Sequence, residues 1–137
     1  KPSSAASDVY KRQVLELDTF ITDFGERTRM MRDWNLFLSE FPLTLTPIYM
    51  SRLYDWDYDL QSFEACKDFV EASSYSWSIN YLGLPAGVIG TGLVEGRPGA
   101  VQVVGQRYRE DLICDALEAI QQRCGRLTDQ LWAREAS

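Results

Sequence analysis

The chain has 137 residues, 45% hydrophobic and 12% aromatic, enough apolar material for one ordinary core and too much for a disordered segment. Its formal charge of −6 argues against a phosphate-backbone partner, and no apolar run approaches the roughly 18 residues of a membrane-spanning helix. The absence of histidine removes Ser-His-Asp and Cys-His catalysis and most zinc centres at once.

Residues 1–7 are small and polar and read as a frayed end. They hold no hydrophobic signal core, so the expected location is cytoplasmic. Asp8 can cap a helix whose apolar face is Val14, Leu17, Phe20, Ile21 and Phe24. Gly25 interrupts that pattern, and Met30, Met31, Trp34, Phe37, Leu38 and Phe41 resume it. The reading is two helices, or one kinked at Gly25, ended by Pro42. Residues 43–46 form a short strand stopped by Pro47.

Residues 49–59, YMSRLYDWDYD, are aromatic and acidic. Asp55, Asp57 and Asp59 are spaced like the opening of a calcium loop. Leu60 and Cys66 stand where an EF-hand needs Gly and Glu, so the motif fails and no metal is expected. A solvated loop is the reading for the aspartates. Tyr54, Trp56 and Tyr58 serve either as the wall of a substrate pocket or as packing over the core. A helix follows over residues 60–75, with Phe63, Cys66, Phe69 and Val70 on one face. Ser73 and Ser74 lie within it without flanking glycines, which rules them out as a nucleophile pair.

Residues 80–105, NYLGLPAGVIGTGLVEGRPGAVQVVG, organise the rest. They read as a loop, a strand over 86–89, a Gly-rich connection over 92–98 and a strand over 100–104. Both strands are apolar and uncharged, as strands buried on both faces should be. Seven connecting residues suit an antiparallel return, because a parallel crossover needs a dozen or more. Gly83, Gly92 and Gly96 can serve turns that need positive φ. No helix opens behind Gly90-Thr91-Gly92, so a dinucleotide fingerprint is dismissed. Gln102, polar in an apolar strand, is expected to bond to neighbouring backbone.

Glu110 and Asp111 begin the last long helix, whose apolar face is Leu112, Ile113, Ala116, Leu117 and Ile120. Gly125 caps it, and residues 127–135 add a short helix carrying Trp132. Cys66, Cys114 and Cys124 have no metal-ligand spacing and read as buried, reduced thiols. No repeat or interdomain linker is visible, so residues 1–137 are read as a single domain or a fragment of one.

The pattern Asn80, Gly83, Leu84, Pro85, Ala86, then Gly92, Gly96, Pro98, Val101, Gln102 and Gly105, resembles the C-terminal segment of amidase signature enzymes. Glu110 and Asp111 fit the acidic start of the helix that follows there. Gly90 replaces a usual proline and Ala100 a usual glycine. Helix, Phe41-Pro42, then Leu43-Thr44-Leu45-Thr46-Pro47 is similar to the strand that runs into a Pro loop beside that family's substrate cleft. The resemblance implies an α/β fold in which a small mixed sheet of about three strands packs between helices.

It also implies an amide hydrolase whose nucleophilic serine, cis-serine and lysine base lie upstream of the matched segments. This chain contains no Gly-Gly-Ser-Ser-Gly loop, and its lysines are Lys1, Lys11 and Lys67, none in a matching context. The expectation is therefore no catalytic residue, no cofactor and no metal here, and an inactive isolated chain. Its part would be sheet and pocket wall, with Thr46, Pro47, Tyr49, Tyr54 and Trp56 as pocket candidates. Asn80, Gly83, Pro85, Gly92, Pro98, Gln102 and Gly105 would be structural. The expected partners are the N-terminal portion of the same amidase or a second copy, with a small amide as substrate of the full enzyme. The alternative is a non-catalytic stand-alone protein-interaction domain.

Overall fold

The structure, a computed structural model, describes residues 16–51 and 53–135, so Asp8 and Val14 lie outside the described residues. The chain divides into two compact units, Lys1–Trp34 and Asn35–Ser137. Helix α1 runs from Leu17 to Glu40 as one uninterrupted element. Gly25 does not break it. Nothing lies within 4 Å of a Cβ built there, and a helical Gly costs only about 1 kcal/mol against Ala.

In the first unit, Arg29 pairs with Glu26 at 2.8 Å and Asp33 at 3.2 Å, one helical turn to either side. Thr22 donates to the Asp18 carbonyl at 2.8 Å. Leu17, Phe20, Ile21 and Phe24 recur at helical spacing and are all more than half exposed.

The second unit holds β1 (Leu43–Thr46), a 3₁₀ turn (Tyr58–Leu60), α2 (Phe63–Ala72) and α3 (Ser74–Leu82). Then come β2 (Ala86–Val94), β3 (Arg97–Gly105), α4 (Glu110–Cys124) and α5 (Leu127–Glu135). The three strands form one sheet in the order β1-β3-β2. Both pairings are antiparallel, which corrects the expectation of a mixed sheet. The expected seven-residue connection is also shorter. Only Glu95 and Gly96 separate β2 from β3, with φ of 52° and 76°. Two left-handed residues make the tight turn whose twist matches a hairpin. Gly92, at φ +126°, sits at an irregularity in the β2–β3 ladder and so lies within β2 rather than in the connection.

Gly87, Val103 and Leu45 stand on one rung and share a face. A Cβ at Gly87 would lie 2.5 Å from Leu117 and 2.9 Å from Ile113. One at Gly105 would lie 2.8 Å from Ile113. Glycine at both places lets α4 seat directly on the sheet. Leu38, Ile79, Leu82, Leu84, Val103, Val104 and Ile113 form the buried core. Of the two strands expected to be buried on both faces, β3 is so over residues 102–105, whereas β2 is not: Val88 is 52% exposed.

The expected helix over 60–75 is two helices. Ser62 caps α2 by accepting from the Ala65 N–H at 3.0 Å. At the other end the Ser73 hydroxyl donates to the Phe69 carbonyl at 2.7 Å, and its backbone leaves the helical region at φ −86°, ψ 5°. Asn80 therefore lies in α3 and not in a loop. Gly83, at φ 63°, caps α3, with its N–H on Asn80 and the Leu84 N–H on Ile79. The three cysteines are free and exposed rather than buried, because each falls on the outward side of its helix. Arg109 grips both oxygens of Asp111 at the start of α4, which holds that carboxyl below its ordinary range.

Candidate functional site

The chain between β1 and α2 is bent by Pro47 and then fastened at two points. On one side the Met50 N–H donates to the Ala72 carbonyl at 2.8 Å, and Ser76 donates to the Ile48 carbonyl at 3.2 Å. On the other, Arg97 at the hairpin donates to the Leu53 carbonyl at 2.7 Å and to Asp55 at 2.8 Å. A loop tied to the α2–α3 junction and to the hairpin leaves space beneath it. That space is an open hollow of about 710 Å³, lined among others by Pro47, Tyr49, Leu53, Arg97, Pro98 and Ala100.

A second hollow of about 350 Å³ shares Tyr49 and Leu53 and adds Tyr54, Trp56, Tyr58 and Phe69. Tyr54 and Tyr58 stack at 4.5 Å between ring centres, 19° from parallel. Both hydroxyls donate to one oxygen of Asp68, at 3.0 and 3.1 Å. The bond to Asp68 holds the Tyr58 hydroxyl protonated above its ordinary range, with burial and the carboxylate charge adding to the effect. Phe69 sits 5.6 Å from Tyr54 and 5.8 Å from Tyr49, closing the wall from behind. Trp56 projects into solvent, 91% exposed.

Four of the five pocket candidates from the sequence thus border the hollows: Pro47 and Tyr49 the larger, Tyr49, Tyr54 and Trp56 the smaller. Thr46 is buried in the sheet, where its hydroxyl accepts from the Gln102 amide at 3.1 Å. That bond corrects the expected partner of Gln102: the cross-strand side chain opposite it, not backbone. Among the structural residues, Pro98 also borders the larger hollow.

The arrangement is an aromatic wall that can take a flat, apolar group by stacking. Ser51 borders the larger hollow; the two residues considered above as nucleophile or base are engaged. Ser74 donates to the Met50 sulfur at 3.2 Å, and Lys67 sits on the surface of α2, 3.5 Å from Glu71. Arg97 and Asp68 were not singled out from sequence. Their partners are 42 and 14 residues away, and no periodicity marks such pairs.

No protein-family model matches the chain. An indoleacetamide hydrolase of Bradyrhizobium diazoefficiens is 37% identical to it over 123 residues, 89% of this chain and 24% of that protein. An indoleacetamide hydrolase of Bradyrhizobium japonicum is 36% identical over 123 residues, 89% of this chain and 26% of that protein. The chain spans about a quarter of the length of these curated relatives.

Proposed function

We propose that this chain is the C-terminal portion of an amidase signature amide hydrolase, supplying three strands and an aromatic pocket wall while the reacting groups lie in the remaining portion. One observation carries the reading: the identity to indoleacetamide hydrolases extends over 89% of this chain yet only a quarter of theirs. The Gly and Pro pattern of residues 80–105 supports the same family.

In the full enzyme a serine attacks the amide carbonyl, a lysine takes its proton, and backbone N–H groups hold the oxyanion. None of these groups is assigned to this chain. Tyr49, Tyr54 and Trp56 would hold the flat, apolar part of the amide, and the Asp68 bonds keep the Tyr54–Tyr58 stack in place. Arg97 keeps the wall at its distance from the hairpin.

The isolated chain should release no ammonia from indoleacetamide above the buffer rate. Turnover at an enzymic rate, lost on substitution of a residue of this chain, would show that a complete site lies within it and would sink the proposal.

A further inference from the structure

The smaller hollow has a feature that the stacking of a flat, neutral group does not use. Its aromatic wall is interleaved with the carboxylates of Asp55, Asp57 and Asp59. Among the described residues no lysine or arginine lines it. Arg97 answers one of the charges from the hairpin, donating to Asp55 at 2.8 Å. Asp57 and Asp59 have no ion pair among the described residues.

The wall itself is electron-rich. Tyr54 and Tyr58 both donate to one oxygen of Asp68, at 3.0 and 3.1 Å. A phenol that donates to a carboxylate is polarised, and its oxygen and ring become more negative. Such a ring attracts a cation placed over its face more strongly than a free phenol does. The carboxylates are not arranged for a metal. Among the described residues no three acidic or thiol groups converge closely enough to hold one. A metal ion needs a tight shell of oxygens. Carboxylates spread around rings suit instead a large cation whose charge is covered by methyl or methylene groups. That ion sheds water cheaply and meets the rings through its apolar skin.

We infer that the smaller hollow is a binding site for an organic ammonium ion, held by the tyrosine rings, by Asp57 and Asp59, and by Trp56 on the solvent side. Its volume of about 350 Å³ is that of a small-ligand site. The inference stands apart from the amidase reading, since it concerns only groups that this chain carries. Where both hold, the ammonium ion and the flat group of the amide compete for one place.

The test titrates the 137-residue chain with choline and with its neutral carbon isostere, in which a tert-butyl group replaces trimethylammonium. Calorimetry at constant ionic strength gives the affinities, and the Trp56 indole N–H resonance gives the place. Choline should bind at least about tenfold more tightly than the isostere, and should shift that resonance. Asp57→Asn combined with Asp59→Asn removes charge and spares the fold, because Asn tolerates the φ of 58° at residue 57. Choline affinity should then fall toward that of the isostere, whose own affinity stays the same. Trp56→Leu, at a position 91% exposed, should weaken choline by at least about threefold. Equal affinity for the two probes overturns the proposal. So does an unmoved Trp56 resonance, or undiminished choline binding in the doubly substituted chain. Each of these failures leaves the amidase reading standing, and an isolated chain that hydrolyses indoleacetamide sinks that reading without touching the ammonium site.

Discussion

The bond between Thr46 and Gln102 is the most informative interaction to break. The two residues face one another across β1 and β3, 7% and 6% exposed, with the amide 3.1 Å from the hydroxyl. Thr46→Val keeps the shape and removes only the acceptor, so the buried amide loses its partner. An unsatisfied buried donor costs about 1–3 kcal/mol. Gln102→Leu also removes the bond, but takes away the group that is costly to desolvate, so it should cost less. With both changes the apolar pair should pack, and the double variant should recover about 1–2 kcal/mol relative to the sum of the singles. Urea denaturation gives the measurement. For a slope near 2 kcal/mol/M, a 2 kcal/mol loss moves the midpoint by about 1 M with the slope unchanged. Neutral single variants, or a strictly additive double variant, would mean that water reaches this rung. The buried face of the sheet would then be wrongly drawn.

The glycines of the chain should separate by position. Gly25→Ala, with nothing within 4 Å, should stabilise the chain by about 0.5–1 kcal/mol, read as a rise in urea midpoint. Gly105→Ala, whose Cβ would meet Ile113 at 2.8 Å, should destabilise it by about 1–3 kcal/mol. Tyr58 gives a pH prediction. Its folded pKa is raised above the ordinary 10.0 by the bond to Asp68. The contribution to stability is therefore complete below that ordinary value and fades as pH climbs through the folded one. Absorbance at 295 nm should show a late-titrating tyrosine, and Asp68→Asn should bring it back toward the others.

Much of this fold was legible in the chain. The apolar spacing of α1 and of α4, the Pro stops around β1, and the antiparallel return between β2 and β3 follow from local pattern. What local pattern missed was the extent of each element. The run Gly92 to Pro98 reads as a connection by composition, yet pairing between β2 and β3 extends the strands to Val94 and back to Arg97. Ser73 ends α2 through a bond to its own preceding turn, which propensity does not register. The helical cysteines were expected inside because Cys is often buried, but the residues that go inside are Ala65 and Ala72 in α2 and Ile113 in α4. At the candidate site, the aromatic residues announced themselves by composition. Their arrangement into a stack on Asp68, and the Arg97 tether, depend on contacts between distant stretches that one sequence does not encode visibly.

The most direct trial is kinetic: indoleacetamide hydrolysis by the Bradyrhizobium diazoefficiens enzyme carrying this chain in its matched segment, beside the 137-residue chain alone. The hybrid should turn over the amide while the lone chain does nothing. A folded hybrid that is dead, or a lone chain that is active, would contradict the claim that this polypeptide is the non-reacting quarter of an amide hydrolase.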